Sequence, residues 1–490
     1  MTASPSDPTG TPPDPAAPPP ASVPAAGAAT VQLASTPGRW VLMATVLASA
    51  MAFLDSSAVN VALPTIGREQ GSSLAGLQWV VNGYTLTLAA LILLGGALGD
   101  RYGRRRVFVV GVAWFAVASL VCGLAQSTGQ LVAARVLQGI GGALLTPGSL
   151  ALIQASFVPR DRARAIGLWS ALGGVAGLVG PFLGGFLVDT AGWRWVFGIN
   201  VPIAAVALLA ARHLPESRDP ASPGSFDVLG AVLGVVALAG TTDALIAAGG
   251  DPSGVHVWTA GAVGVVAAAG FLWWEHRVKA PVLPPSLFRD RQFTGANLST
   301  LAVYGALGGW SFFVVLELQD VLGLDALAAG AAMLPPTVLL ILLSARAGAL
   351  AQRIGPRRPM TVGPLVAAAG MLVLVRVDAG SSYWADVLPG SVLVGLGMSV
   401  LVAPLTATVL GAAPDALAGV ASGVNNAVAR AAGLLAVAAL PVAVGLPGGQ
   451  QPSAAAFTAG FETAMAICAA LMAAGGVLAW LTVRDDVLRG

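Results

Sequence analysis

Charge is what this chain has least of. Its 490 residues include 25 lysines and arginines and 23 aspartates and glutamates, about one charged residue in ten. A soluble globular domain carries roughly one in four, so a water-soluble enzyme is excluded. A net charge of +2 with no concentrated basic face leaves no footprint for a nucleic-acid partner. Cysteine is nearly absent too: Cys122 and Cys468 each lie inside a long apolar run, which excludes a disulfide framework and a thiolate metal site. His213, His256 and His276 are too scattered to hold a metal. No Gly-x-x-x-x-Gly-Lys loop offers nucleotide-driven energy, and no nucleophile or acid/base pair recurs at helical spacing. No cofactor, no metal and no enzymatic activity are expected.

What fills the chain is apolar. Hydrophobic residues make up 56% of it, glycine contributes 62 positions, and the mean hydropathy is +0.80. That is more apolar surface than water-facing domains can bury, so the bilayer is the expected solvent. Eight runs contain no charge at all: 70–99, 107–134, 136–159, 165–188, 292–316, 387–414, 431–461 and 463–483. Six more segments carry one charge or hold a shorter apolar run: 39–63, 195–212, 228–248, 256–275, 326–350 and 359–377. Short strands of alternating polarity, the mark of a membrane barrel, are missing. The expectation is an all-α polytopic membrane protein of fourteen spans.

An even number of spans puts both termini on one side. If that side is cytoplasmic, 20 of the 25 basic residues fall inside, including Arg101 and Arg104–Arg106, Arg160–Arg164, Arg277–Arg291 and Arg346–Arg358. This asymmetry predicts cytoplasmic termini. Residues 1–38 hold ten of the 33 prolines and read as a disordered Pro/Ala-rich tail, with no cleaved signal peptide.

A repeat divides the rest. Gly96-Ala-Leu-Gly-Asp-Arg-Tyr-Gly-Arg-Arg-Arg106 returns as Gly348-Ala-Leu-Ala-Gln-Arg-Ile-Gly-Pro-Arg-Arg358, seven of eleven positions identical at an offset of 252. Val136-Leu-Gln-Gly-Ile-Gly141 parallels Val392-Leu-Val-Gly-Leu-Gly397 at 256. An offset of that size spans eight helices, so two helices stand between two six-helix halves. The expected layout is a half at 39–214, a cytoplasmic linker at 215–227 and inserted helices at 228–275. A linker at 276–293, a second half at 294–483 and a tail at 484–490 complete it.

At these motifs the sequence resembles the major facilitator superfamily. Gly96, Asp100, Arg101, Gly103, Arg104 and Arg105 match its signature loop between spans two and three. Gly103 would make the turn and the arginines would anchor the loop at an anionic leaflet. Asp100 would meet a helix N-terminus or a basic partner across the interface between halves. Gly180-Pro181-Phe182-Leu183-Gly184-Gly185 in span five is similar to the antiporter motif of the same superfamily, although Ala176 and Trp169 stand where that pattern expects glycine. Leu54-Asp55 through Pro64, Gln78-Trp79 with Tyr84, Trp193-Arg194-Trp195, Asn200-Val-Pro202, Phe226-Asp227 and Ala418 through Asn426 resemble the fourteen-span drug:proton antiporters of the EmrB/QacA type. The resemblance covers about residues 39–483. It implies the major facilitator fold and proton-coupled efflux by alternating access.

Ionisable groups inside spans are costly and therefore mark candidate sites. Asp55, followed by Ser56, Ser57 and Asn60, is either a proton-exchanging carboxylate in a water-filled cavity or an outer-end charge satisfied by neighbours. Arg135 matches the superfamily motif linked to proton transfer; its role is electrostatic, because arginine keeps its proton, or else it snorkels to the membrane edge. Asp243, in the inserted span seven, is expected near the outer surface rather than in the central cavity. Arg430, after Asn425 and Asn426, either faces the cavity toward an acid or an anionic group, or is bonded within its helix. Glu317, Asp320 and Glu462 read as solvated end charges. The expected function is proton-driven export of hydrophobic or amphipathic drugs by a monomer in a bacterial cytoplasmic membrane. A dedicated exporter of one metabolite or antibiotic is the alternative. The expected partners are a small amphipathic substrate, protons and lipid.

Overall fold

The computed structural model describes residues 31–218, 227–279, 281–414 and 417–485. Residues 1–30, most of the first linker with Phe226, and Arg489 lie outside them. The N-terminal half comprises α1 (Thr36–Gln70), α2 (Leu74–Tyr102), α3 (Arg104–Leu124), α4 (Thr128–Ser156), α5 (Pro159–Ala191) and α6 (Arg194–Ala211). The inserted hairpin is α7 (Val228–Ala248) and α8 (Val255–Glu275). The C-terminal half comprises α9 (Arg291–Val321), α10 (Ala326–Ile354), α11 (Arg357–Leu374), α12 (Tyr383–Gly411), α13 (Ala418–Ala443) and α14 (Ala454–Thr482).

Thirteen of these helices are long and apolar enough to cross a membrane. The exception is α11, an 18-residue helix that opens on Arg357-Arg358 and is buried against α12 and α14. Helix starts are set by capping side chains. Ser35, Ser73, Ser127 and Ser453 accept from a backbone N–H three residues on, as does Asp227, and Asp290 accepts from the N–H groups of both Gln292 and Phe293. The stretch 31–38, expected as the end of a disordered tail, is part of the fold. Val31 N–H donates to Ser156 O at 3.1 Å, Leu33 N–H donates to Asp161 Oδ2 at 2.9 Å, and α1 already begins at Thr36.

The halves repeat one packing scheme. In the first, α4 packs on α2 and α3, and α1 packs on α5 and α6; in the second, α12 packs on α10 and α11, and α9 packs on α13 and α14. The halves meet through two equivalent pairs, α5 with α10 and α2 with α13, and α7 of the hairpin lies against α2 and α13. This is the pseudo-two-fold arrangement of parallel transporter repeats.

The face that holds the start of α1 and the end of α14 is called here the terminal face, and the opposite one the distal face. The distal end is closed between the halves. Gln78 Nε2 donates to Val437 O at 2.7 Å, Gln319 Nε2 donates to Val61 O at 2.8 Å, and Leu327 N–H donates to Asp189 Oδ2 at 2.8 Å. Arg68 pairs with Asp320 at 3.4 Å. Val59, Leu63, Leu77, Phe313, Leu440 and Phe457 belong to one apolar core crossing from half to half. Val41, Met51, Leu88, Phe108 and Leu152, toward the terminal face of the first half, form a separate one.

Candidate proton-coupling and substrate site

The glycines of Arg135-x-x-Gln138-Gly139-x-Gly141 explain why its polar members point inward. A side chain at Gly139 would overlap the Thr87 hydroxyl of α2, and one at Gly141 would stand 2.7 Å from the Phe115 backbone nitrogen of α3. The bare faces let α2 and α3 close on α4, so Arg135 and Gln138 are enclosed by helices rather than exposed to lipid.

There they meet Asp55. The Arg135 guanidinium pairs with Asp55 Oδ2, and Gln138 Nε2 and Asn200 Nδ2 donate to Asp55 Oδ1 at 2.7 and 3.1 Å. Arg135 also donates to Val80 O at 3.1 Å and to Gln138 Oε1 at 2.7 Å. Its guanidinium lies over the rings of Tyr84 and Phe197, at 4.4 and 5.8 Å from their centroids. Ser119 Oγ accepts from Asn200 and Gln138 and donates to Phe197 O. Asp55 and Arg135 are each 1% exposed. The expectation of a carboxylate in a water-filled cavity is therefore corrected: Asp55 is turned into the packing of α1, α3, α4 and α6. The outer-edge readings of Asp55 and Arg135 fall with it. Asn60 is half-buried and is not among the partners of Asp55.

Asp243 pairs with His256 of α8 at 2.9 Å, across the inserted hairpin near its distal end. Arg430 is half-buried on α13. Its Nε donates to Asn426 Oδ1 at 2.9 Å, and it lies within electrostatic reach of the phenols of Tyr84 in one half and Tyr304 in the other. Asn425 faces the other way, donating to Asn297 and Thr300 of α9.

The signature loop works differently from the expectation for Asp100. Asp100 Oδ1 accepts from Arg104 Nε at 2.8 Å, a local pair one helical turn apart rather than a bond across the halves. Gly103 has φ of +109°, where a side chain is strained, and a Cβ there would also stand 2.7 Å from Glu216 Oε1. That same oxygen accepts from Arg105 N–H at 3.1 Å, and Arg105 Nη2 donates to Arg212 O. The second half repeats the device: Gly355 has φ of +88° and Asp485 Oδ1 accepts from Arg357 N–H at 3.1 Å. Gly96 lies near Pro147 of α4 and Arg101 over the Tyr102 ring.

In the antiporter motif a Cβ at Gly184 would stand 2.7 Å from Ala58 Cα of α1, and one at Gly180 would overlap Ser57. A Cβ at Gly185 would overlap the Ala326 carbonyl of α10, and one at Gly330 the Pro181 carbonyl. The motif is a close-approach surface for both α1 and the other half. Glu317, expected as a solvated end charge, is 1% exposed and accepts from Thr458 of α14 at 3.3 Å. Sequence reasoning passed over Ser119, Gln138, Asn200, Glu216 and Asp485 as site residues. Their signal was being polar within or just beyond apolar runs.

A family model for the Major Facilitator Superfamily matches residues 45–437. The chain belongs to the Major Facilitator Superfamily. It is a multi-pass cell-membrane protein with this superfamily's fold. Among its relatives in the superfamily, the tetracenomycin C resistance and export protein of Streptomyces glaucescens is 38% identical over 405 residues, 82% of this chain and 75% of that one. The puromycin resistance protein of Streptomyces alboniger is 35% identical, covering 91% of this chain and 92% of its own. The methylenomycin A resistance protein of Bacillus subtilis is 35% identical, with coverage of 91% and 95%. Among solved superfamily folds, a bacterial homologue of the lysosomal transporter Spinster superposes with a TM-score of 0.64 at 18% identity, covering 92% of this chain and 97% of that one. A D-xylose–proton symporter gives 0.64 at 15%, covering 91% and 98%.

Proposed function

We propose that this superfamily member exports amphipathic small molecules in exchange for protons, by alternating access between its two halves. The observation that carries this reading is the Asp55–Arg135 pair, buried in the N-terminal half and coordinated by Gln138 and Asn200. Arginine cannot release its proton, so the carboxylate of Asp55 is the member of the pair that can accept and carry one. Protonation of Asp55 removes the only formal countercharge that Arg135 has among the described residues, and the guanidinium then depends on Val80 O, Gln138 Oε1 and the Tyr84 ring. That change in a dry site repacks α1 against α4 and biases the halves between two arrangements.

The topology proposed is fourteen spans with α11 as the eleventh, and the arginine-rich terminal face is cytoplasmic. Both halves of the path come from one chain, so the working unit is a monomer. The efflux direction rests on the relatives named for resistance or export. A dedicated single-antibiotic exporter is the second reading, favoured by relatives that are each named for one compound. A broad pump is favoured by the 37% identity with a multidrug resistance protein of Mycobacterium tuberculosis.

Everted membrane vesicles, acidified inside, are expected to accumulate at least one of tetracenomycin C, methylenomycin A and puromycin. Nigericin should bring that uptake down to the level of vesicles lacking the protein. Uptake that persists after the pH gradient is collapsed excludes proton coupling.

A further inference from the structure

The charges within the spans are unequally compensated. Asp55 is neutralised by Arg135 inside the first half. Asp243 is taken by His256 on the hairpin, Asp320 by Arg68 at the distal edge, and Glu317 is turned toward Thr458 within the second half. Arg430 stands apart: among the described residues no carboxylate pairs with it. Among the described residues only its Nε is engaged, by Asn426 one turn earlier on the same helix face. A guanidinium carries five N–H donors in a planar fork that matches a carboxylate or other oxyanion, and four of these remain.

The surroundings suit an aromatic acid. Arg430 lies within electrostatic reach of Tyr84 of α2 and Tyr304 of α9, one from each half, and one turn later a Cβ at Gly433 would stand 3.9 Å from Tyr304 O. Asn425 fixes the rotation of α13 by bonding Asn297 and Thr300, which leaves Asn426 and Arg430 on the adjoining face. Among the described residues a cation would find no free carboxylate on this face, and a fixed positive charge would stand against it.

We infer that Arg430 is the substrate's anchoring residue and that the exported class is acidic aromatic amphiphiles, carrying a carboxylate or ionised phenol, rather than cations. The anion sits on the guanidinium of the second half with its ring between Tyr84 and Tyr304. The Tyr84 ring in turn packs on the guanidinium of Arg135, which holds Asp55. This deepens the efflux reading and rests on it.

The test is equilibrium binding to the purified full chain in detergent, followed by fluorescence polarisation with two probes of similar size, anionic fluorescein and cationic ethidium. No gradient is involved, so failure here is distinct from failure of vesicle transport. Fluorescein is expected to bind at least tenfold more tightly than ethidium. Arg430→Gln should weaken fluorescein binding by roughly 10- to 100-fold, the range for loss of a charge-assisted pair, and leave ethidium unchanged or improved. Arg430→Lys should retain the preference with reduced affinity, which separates lost charge from lost folding. Equal binding of the two probes, tighter ethidium, binding of neither, or an unchanged preference in Arg430→Gln overturns the inference.

Discussion

Asp55→Asn is expected to reduce gradient-driven export to background and to lower the thermal stability of the purified protein. The substitution keeps the shape of the side chain but removes the charge that compensates Arg135, which is 1% exposed. Removing one partner of a buried pair costs about 3–5 kcal/mol, because the remaining charge stays buried and uncompensated. Here Val80 O, Gln138 Oε1 and the Tyr84 ring retain part of the guanidinium's stabilisation, so the lower end of that range applies. The double variant Asp55→Asn/Arg135→Gln removes both charges and should recover much of the lost melting temperature. It should recover no proton-driven transport, since the site then holds no carboxylate to carry the proton. Melting in detergent and nigericin-sensitive vesicle uptake read the two effects separately. A double variant that transports with the wild-type proton dependence would remove Asp55 from the coupling mechanism.

Gly185→Ala should shift the molecule away from the distal-closed arrangement. The added methyl overlaps the carbonyl oxygen of Ala326 and stands 2.6 Å from its carbon. Both are backbone atoms, so no rotamer change relieves the contact. Overpacking of this kind costs about 1–3 kcal/mol. The penalty falls only on the state in which α5 and α10 touch, and it corresponds to roughly a 5- to 150-fold change in the ratio of states. Spin labels at the distal ends of α5 and α10 should report a longer distance, and export should fall in parallel. Gly177→Ala is the control: its position in the same helix has open space where the methyl would go, and wild-type distances and transport are expected. An unchanged α5–α10 distance in Gly185→Ala would mean that the glycine contact does not hold the distal end shut.

Much of the fold was legible in the sequence because a bilayer imposes a simple rule: a span needs a long stretch without charge. The eight charge-free runs and the offset of 252 between Gly96 and Gly348 marked the helices and the two halves. The signature-loop glycines were legible for the same local reason, since Gly103 and Gly355 both sit at positive φ where the chain must turn. The eleventh helix was less clear-cut. Its two leading arginines shorten the apolar stretch of α11, and its place is set by packing against α12 and α14.

The direction of each polar side chain was not legible. In a soluble helix, the water-facing side is polar and the core-facing side apolar, so periodicity reveals orientation. In a membrane the lipid and the protein interior are both apolar, and that signal is lost. Asp55 could thus be assigned to a cavity when it lies against Arg135, and Asp100 to a partner in the other half when it bonds Arg104 four residues away.

The sequence by itself determined a helical membrane protein, its two related halves, its inserted pair and the side on which its arginines gather. These follow from the solvent and from covalent order. The tertiary structure alone decided that Asp55 and Arg135 pair directly with Gln138 and Asn200 as further donors to the carboxylate, and that Glu216 and Asp485 clamp equivalent loops. It also left Arg430, midway along α13, without a carboxylate partner among the described residues. Such pairings join residues tens or hundreds of positions apart. Which of them form depends on how closely glycine-faced helices approach, a distance fixed only when all the helices are packed.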